Sequence, residues 1–322
     1  MKKLACTLSW LAVAILPISV QATDFPQRTV SWVVPYSAGG GTDVVARAVA
    51  NQMSGLLGQS IVVENKPGAN TAIGASHVAR AAADGYTVAS ADNATLALNQ
   101  HLFSKLTYKP ATDFSFIGGL ARFPYVLVVH PDVPARTVAE LLELARQKPG
   151  TISYGSPGMG GPNHVAMEQL QQRTQVKFLH VAYRGAAPVM QDLVAGQIQF
   201  SLIDTASSMP YIQSKRVRPI AVSTENRLSS LPDIPTFGEA GVEDFIAFSW
   251  QGLIAPKGTP PGIVARLNKE LNKALENPRV QETLSAMGVQ ATPTTPSEFK
   301  DFVKQQDAMW GEVITRASIS LE

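Results

Sequence analysis

The chain has 322 residues, with 27 lysines and arginines against 25 aspartates and glutamates, and a single cysteine. Such a balance, without a basic run or an aromatic-basic alternation, argues against nucleic acid or an anionic membrane as partner, because both want a basic excess. A chain of this length divides more readily into two domains than one core.

Residues 1–22 read as a secretory signal: Lys2 and Lys3 give the charged start, Leu8 to Val20 the apolar segment, and Val20-Gln21-Ala22 the cleavage site. The exported chain is then expected to begin at Thr23, and its 27 basic residues less Lys2 and Lys3 match 25 acidic ones. Cys6 falls inside the leader, so no disulfide, thiolate nucleophile or cysteine metal ligand is expected afterwards. No second apolar run approaches the roughly 20 residues of a membrane span. A soluble periplasmic protein fits.

From there strands and helices alternate. Thr29 to Val34 is a predicted strand running into the glycine cluster of VVPYSAGGGTDVVAR, and the following helix carries Val45, Val49, Met53 and Leu56 on one face. Ile61 to Glu64 is a strand, Thr71 to Ala83 a helix, Tyr86 to Ser90 a strand, and Tyr125 to His130 a fully buried strand. Thr137 with Glu140 forms a capping box for a helix that stops at Gly150. The pattern then restarts with strand Ile152 to Tyr154, the glycine-rich turn SPGMGGPNH and a helix. Strand Lys177 to Val181, helix Ala187 to Ala195 and strand Ile198 to Ile203 follow. Thr259-Pro260-Pro261 opens a helix bearing Ile263, Leu267, Leu271 and Leu275; Gly288 ends the next, and Thr295-Pro296 with Glu298 opens a last one toward Trp310. These helices need a partner for their apolar stripes, so the tail is expected to return to the first α/β unit. The expected organisation is a first domain of residues 23–123 plus 250–322 and a second of 124–249, with hinge crossings near Phe123 and Ser249.

Familiar chemistries match poorly. Gly39 and Gly41 with Glu64 imitate a dinucleotide fold, but Val44 stands at the third glycine position and Asp43 would repel a pyrophosphate; no Lys-Ser or Lys-Thr follows for a Walker loop. Ser156 suggests a nucleophile elbow, yet Tyr154 occupies the place of the required glycine, and His77, His101, His130, His164 and His180 all precede Asp204. His164 and Glu168 share a helix face, where capping and the helix dipole explain them better than a metal does. Neither enzyme activity nor a cofactor or metal is expected.

Binding without chemistry remains. Each glycine-rich turn aims backbone N–H groups, at the positive end of a helix, toward an anion, and two such turns facing each other would hold one anion from both sides. The plainer alternative is that both are ordinary strand-to-helix turns. Without an Arg or Lys cluster, neutral dipoles suit a carboxylate better than a phosphate.

The blocks VVPYSAGGGTDVVAR, VVENKPGANTAIGASHVARAAADGYTV, SYGSPGMGGPNHVAMEQL, VAYRGAAPVMQDLVAGQIQF, LPDIPTFGEAG and SWQGLIAPKGTPPGIVARLN together resemble, over nearly the whole exported chain, the Bug family. These are the extracytoplasmic substrate-binding proteins of tripartite tricarboxylate transporters. The resemblance implies a two-domain type II periplasmic-binding-protein fold with two hinge crossovers and an interdomain cleft. It implies capture of a small organic acid (a di- or tricarboxylate, an aromatic acid or an acidic amino acid) and delivery to inner-membrane transporter subunits, without an enzymatic step. A monomer is expected. Carried over onto this sequence, the first loop maps onto Tyr36, Ser37, Ala38, Gly39, Gly40 and Thr42, with Asp43 at the helix start. The second maps onto Ser156, Gly158, Met159, Gly160 and His164, and further wall positions are Asn93, Tyr183, Arg184, Gly185, Ala186 and Asp204. Tyr36 replaces a common phenylalanine, Arg184 a common lysine, and NHVAME the usual glutamine-histidine-leucine run, which bears on the far end of the ligand. Asp204 either meets a ligand ammonium or hydroxyl or caps the helix that follows it. Tyr36, Tyr183 and Trp250 either stack on an aromatic acid or belong to the core. A periplasmic sensor signalling to a membrane partner is the alternative function.

Overall fold

The computed structural model describes residues 25–321; the leader, its cleavage position and Cys6 lie outside the described residues. The chain opens with β1 (Val30–Val34), α1 (Gly41–Leu57), β2 (Ile61–Asn65), α2 (Ala72–Ala79) and β3 (Thr87–Asp92). A π-helical turn at Ala94–Leu98 leads to the short α3 (Asn99–Leu102) and the long β4 (Phe114–Val129). Then come α4 (Val138–Gln147), β5 (Ser153–Ser156), α5 (Pro162–Thr174), β6 (Leu179–Ala182), α6 (Ala186–Val194), β7 (Phe200–Asp204), α7 (Thr205–Gln213) and β8 (Arg218–Val222). The return comprises β9 (Phe248–Pro256), α8 (Pro261–Leu275), α9 (Pro278–Ala286), β10 (Gln290–Ala291) and α10 (Pro296–Ala317).

The strands lie in the order β2-β1-β3-β9-β4-β7-β5-β6, with β8 and β10 also on β4. β4 is shared by two blocks. From Phe114 to Pro124 it pairs antiparallel with β9, whereas from Tyr125 to Val129 it pairs with β7 and β8. The change falls at Pro124, which has no N–H to donate to a continuous ladder. The first block joins β1, β2 and β3 in parallel, and the second joins β5, β6 and β7 in parallel. The result is an α/β fold of the type II periplasmic-binding-protein kind.

Local chemistry explains the elements. Both capping boxes form: Thr137 and Glu140 start α4, and Thr295 and Glu298 start α10. On α1 the buried row is Val45, Val49, Met53 and Leu57. Strict four-residue spacing puts Leu57 in line, so Leu56, the expected member, is only half-buried. The expected strand from Tyr125 is the second part of β4, whose first part is disguised by glycines. Bulges interrupt the β4–β9 pairing at Phe116/Gly118 and Gly119/Ala121, and a Cβ on Gly119 would come within 2.5 Å of the Thr292 carbonyl. Predicted helix Thr71–Ala83 is shorter than expected, and the last helix runs past Trp310 to Ala317.

Among the described residues three apolar clusters form the core. One lies beneath α1, α8 and α9; one runs under α10, α5 and α4; the third is enclosed by α6 and α7. Trp250 belongs to the second, edge-on to Phe299 and Phe302, with its indole N–H on Gln306. It is core rather than a ligand platform. The tail packs on both blocks, since Gln172 of α5 donates to the Val313 carbonyl of α10 at 3.1 Å. Among the described residues no helix is long and apolar enough to cross a membrane.

Candidate ligand-binding site

Both glycine loops leave the carboxyl ends of parallel strands, residues 35–40 after β1 and 157–161 after β5, where open α/β sheets bind ligands. Each is braced from behind. In the first loop Asp43 accepts from Gly39 N–H at 2.9 Å, from Arg47 Nε at 2.9 Å and from Asn65 Nδ2 at 2.8 Å. Asn65 also donates to the Tyr36 carbonyl, at 2.9 Å. Burial pushes the Asp43 carboxyl upward, but its bonds to Arg47, Gly39 and Asn65 outweigh that and hold it below the usual range. Asp43 therefore shapes the loop with both oxygens, and Ser37, Ala38, Gly39 and Gly40 are left exposed.

The second loop has a neutral brace. Ser156 Oγ donates to the Gly158 carbonyl at 3.1 Å and lies 2.7 Å from His180 Nε2, and His164 Nδ1 accepts from Gly160 N–H at 3.0 Å. The His164 and His180 rings stack with centroids 3.9 Å apart, and Tyr154 stacks on His180. Glu168 accepts from Gln171 and Tyr154 and lies 3.7 Å from His164 Nε2. These contacts engage both His164 and Glu168 within the protein. The wall extends through β6, because Tyr183 N–H donates to the Ser156 carbonyl and Gly185 N–H to that of Pro157, each at 2.9 Å. Tyr183, Arg184, Gly185 and Ala186 thus lie beside the second loop. The Tyr183 hydroxyl is committed to Asp192 at 2.8 Å, while Arg184 and Met159 are exposed.

Behind the first loop lies a polar floor. Tyr36 donates its hydroxyl to Asp92, which also accepts from Thr95 N–H and Oγ–H at 3.0 and 2.9 Å. Burial, and then the Asp92 charge, raises Tyr36 well above the ordinary phenol range; burial also raises Asp92. Asn93 accepts from Trp250 N–H at 2.8 Å and donates to the Phe248 carbonyl at 3.2 Å, clipping the end of β3 to β9. Its side chain is spent there. Asp204 caps α7 by accepting from Ser207 N–H and Oγ–H at 2.8 and 3.1 Å.

Each loop touches the opposite block. A Cβ on Gly41 would lie 3.7 Å from Ala206 of α7, and one on Gly160 would lie 2.8 Å from Leu321 and 3.1 Å from Leu102. Among the described residues no hydrogen bond joins residues 36–43 to 156–160. Sequence reasoning missed Asn65, Arg47, Asp92 and His180. They act on the loops through tertiary contacts and leave no motif; only His180, a lone polar ring in FLHVA, interrupts an apolar strand pattern.

The helices that begin at these loops share one property. α1, α5 and α6 have glycine N-caps, Gly40, Gly161 and Gly185, with no side-chain cap; α2 and α8, at Thr71 and Pro260, also lack a side-chain cap but not through glycine, and α4, α7, α9 and α10 are capped by Thr137, Asp204, Asn277 and Thr295. First-turn N–H groups have no intrahelical acceptor, so three helix starts offer donors and positive dipole ends to an outside anion.

Residues 45–319 match the model of the tripartite tricarboxylate transporter family receptor. The chain belongs to this family. It is 31% identical over 314 residues to Protein BugT of Bordetella pertussis, covering 97% of this chain and 96% of that one. Among solved structures it is similar to R. palustris Rpa4515 with adipate, at a TM-score of 0.86 and 35% identity over 92% of this chain and 99% of that one. It is also similar to MatC from Rhodopseudomonas palustris with bound malate, at a TM-score of 0.81 and 31% identity over 90% of this chain and all of that one. Members of the family are periplasmic solute-binding receptors rather than enzymes.

Proposed function

We propose that this receptor captures a small organic carboxylate between the loops 36–43 and 156–161 and delivers it to the membrane subunits of a tripartite tricarboxylate-type transporter. The observation that carries the reading is that α1, α5 and α6 start from glycine N-caps without a side-chain acceptor, and among the described residues no other helix has a glycine N-cap. A carboxylate can satisfy donors on both walls without a lysine or arginine in either loop. The adipate and malate of the two R. palustris relatives support that ligand class.

In this reading residues 23–123 with 250–322 form one domain and 124–249 the other, the hinge lying in β4 and β9. The leader directs export and is removed after Ala22, and the receptor works as a monomer. The exposed groups Ser37, Ala38, Gly39, Gly40, Met159 and Arg184, with the half-buried Thr42, Gly158 and Ala186, meet the ligand. Asp43, Asn93, Ser156, Gly160, His164, Tyr183 and Gly185 hold the walls. The test is a thermal-shift panel on ligand-stripped protein with C4–C6 dicarboxylates, tricarboxylates, aromatic acids and acidic amino acids. At a hundredfold excess over Kd a true ligand adds roughly 2.7 kcal/mol to stability. No shift with any acid overturns the proposal.

A further inference from the structure

We propose that His164 and His180 form a neutral stacked pair that holds residues 156–160 in the shape presenting their N–H groups to the ligand, so that His164 acts through Gly160 without touching the ligand. The proposal rests on reading this loop as an anion-binding turn.

We assign the protons from the hydrogen count: with the single Ser156 hydroxyl hydrogen on the Gly158 carbonyl at 3.1 Å, the 2.7 Å contact with His180 Nε2 is donated by that nitrogen. Gly160 N–H donates to His164 Nδ1, so Nδ1 is bare and Nε2 carries the proton, facing Glu168 at 3.7 Å. A second proton on His164 has only Nδ1 to occupy. There it would abolish the bond from Gly160 and place a charge against a ring 3.9 Å away. Burial, reinforced by His180, depresses His164 to about 3, and burial depresses His180 to about 4.

The titratable groups packed around the pair are few, and none of them is a cation. α5 contributes Glu168, raised by burial, and β5 contributes Tyr154, also raised by burial. β9 carries no titratable side chain, and β7 brings only Asp204, bonded to Ser207. α10 meets α5 at Val313; its Asp307 is paired with His101 and its Glu312 with Arg316. The contacts of Gly160 with Leu102 and Leu321 are apolar. Both rings therefore stay neutral between pH 6 and 8 and give a carboxylate no cationic partner.

The experiment uses the leaderless protein with adipate as probe. Ring 15N shifts and Gly160 amide exchange are read without ligand, and adipate affinity is read by calorimetry from pH 6 to 8. Expected are Nε2–H tautomers at both rings and a flat affinity. His164→Leu should speed Gly160 exchange and weaken adipate by roughly tenfold, the loss of about one hydrogen bond. His164→Asn, whose Oδ1 accepts from Gly160 but cannot become charged, should recover most of both. If the leucine variant does not fold, His164→Phe, which keeps the stack, replaces it. A protonated ring at pH 7, an affinity that falls as pH rises through about 6.5, or a folded leucine variant with unaltered Gly160 exchange overturns the proposal. If adipate fails to bind the unaltered protein, its role as ligand fails separately, and the tautomers and Gly160 exchange still decide the role of the histidines.

Discussion

A side-chain cap placed on α1 should compete with the ligand for the same donors. Gly40 has φ −77° and ψ 165°, an ordinary N-cap geometry, and a Cβ there would meet only the Ser37 carbonyl at 3.7 Å. Gly40→Asp can therefore be built without strain. Its carboxylate accepts from the first-turn N–H groups, as Asp204 does on α7. On stability the cap gains only a few tenths of a kcal/mol over glycine, offset in part by the neighbouring Asp43 charge, so melting should move by no more than about 2 °C. On binding the effect is far larger. Losing one charge-assisted bond costs about 1.5–3 kcal/mol, or roughly 10- to 150-fold in Kd, and like-charge repulsion adds to it. Gly40→Ala, which fills the same space without an acceptor, should stay within about threefold of the parent. Calorimetry with the best acid of the panel, alongside melting, measures both. An aspartate variant that is folded and binds as tightly as the alanine variant would refute the assignment of the α1 donors to the ligand.

Stability should depend on acid in a defined window. His164 and His180 titrate at about 3 and about 4 in the folded chain because burial penalises their charged forms, against about 6.5 when unfolded. The unfolded state thus binds more protons at these two rings between those values, so the part of the stability they supply is full above pH 6.5 and falls as pH drops toward 4. Urea midpoints from pH 8 to 4.5 should show the fall, and His180→Phe should flatten it; equal slopes in both proteins would count against the linkage. Gly252→Ala should destabilise by several kcal/mol, since its Cβ would overlap the Phe299 ring in the seam between β9 and α10. Urea unfolding with a midpoint unchanged from the parent would show that α10 can move aside freely.

What the sequence reveals is whatever is encoded locally. The capping boxes at Thr137 and Thr295, the row of α1 up to Met53 and the two glycine turns each occupy a few consecutive residues and form where the pattern places them, with Leu57 rather than Leu56 closing the row. Strands β8 and β10 and the first part of β4 went unread for the opposite reason. Gly118, Gly119 and Pro124 are poor strand residues whose places are set by Asn268, Thr292, Thr294 and the change of partner. The site divides in the same way. Its glycines and N-termini are visible as motifs, whereas the braces join Asn65 to Asp43 and His180 to Ser156 across 22 and 24 residues and are invisible to any window.

The two braces also differ in kind, and the difference bears on what the walls can hold. In the first loop an ionised carboxylate, Asp43, already takes the Gly39 N–H, and Arg47 at 2.9 Å balances its charge. In the second the bracing groups are a hydroxyl and two neutral imidazoles, so no internal anion competes for the donors of α5. Both loops thus carry near-zero net charge and present N–H dipoles, and the exposed Arg184 stands beside the second loop. Dipoles can match the modest hydration of a single carboxylate, but a phosphate with close to two charges loses far more water on entry and needs Arg or Lys to compensate. Residues 36–43 and 156–164 contain neither. The preference for a carboxylate therefore resides in the neutrality of the two loops, beside which Arg184 is a single cation, as much as in the glycines that shape them.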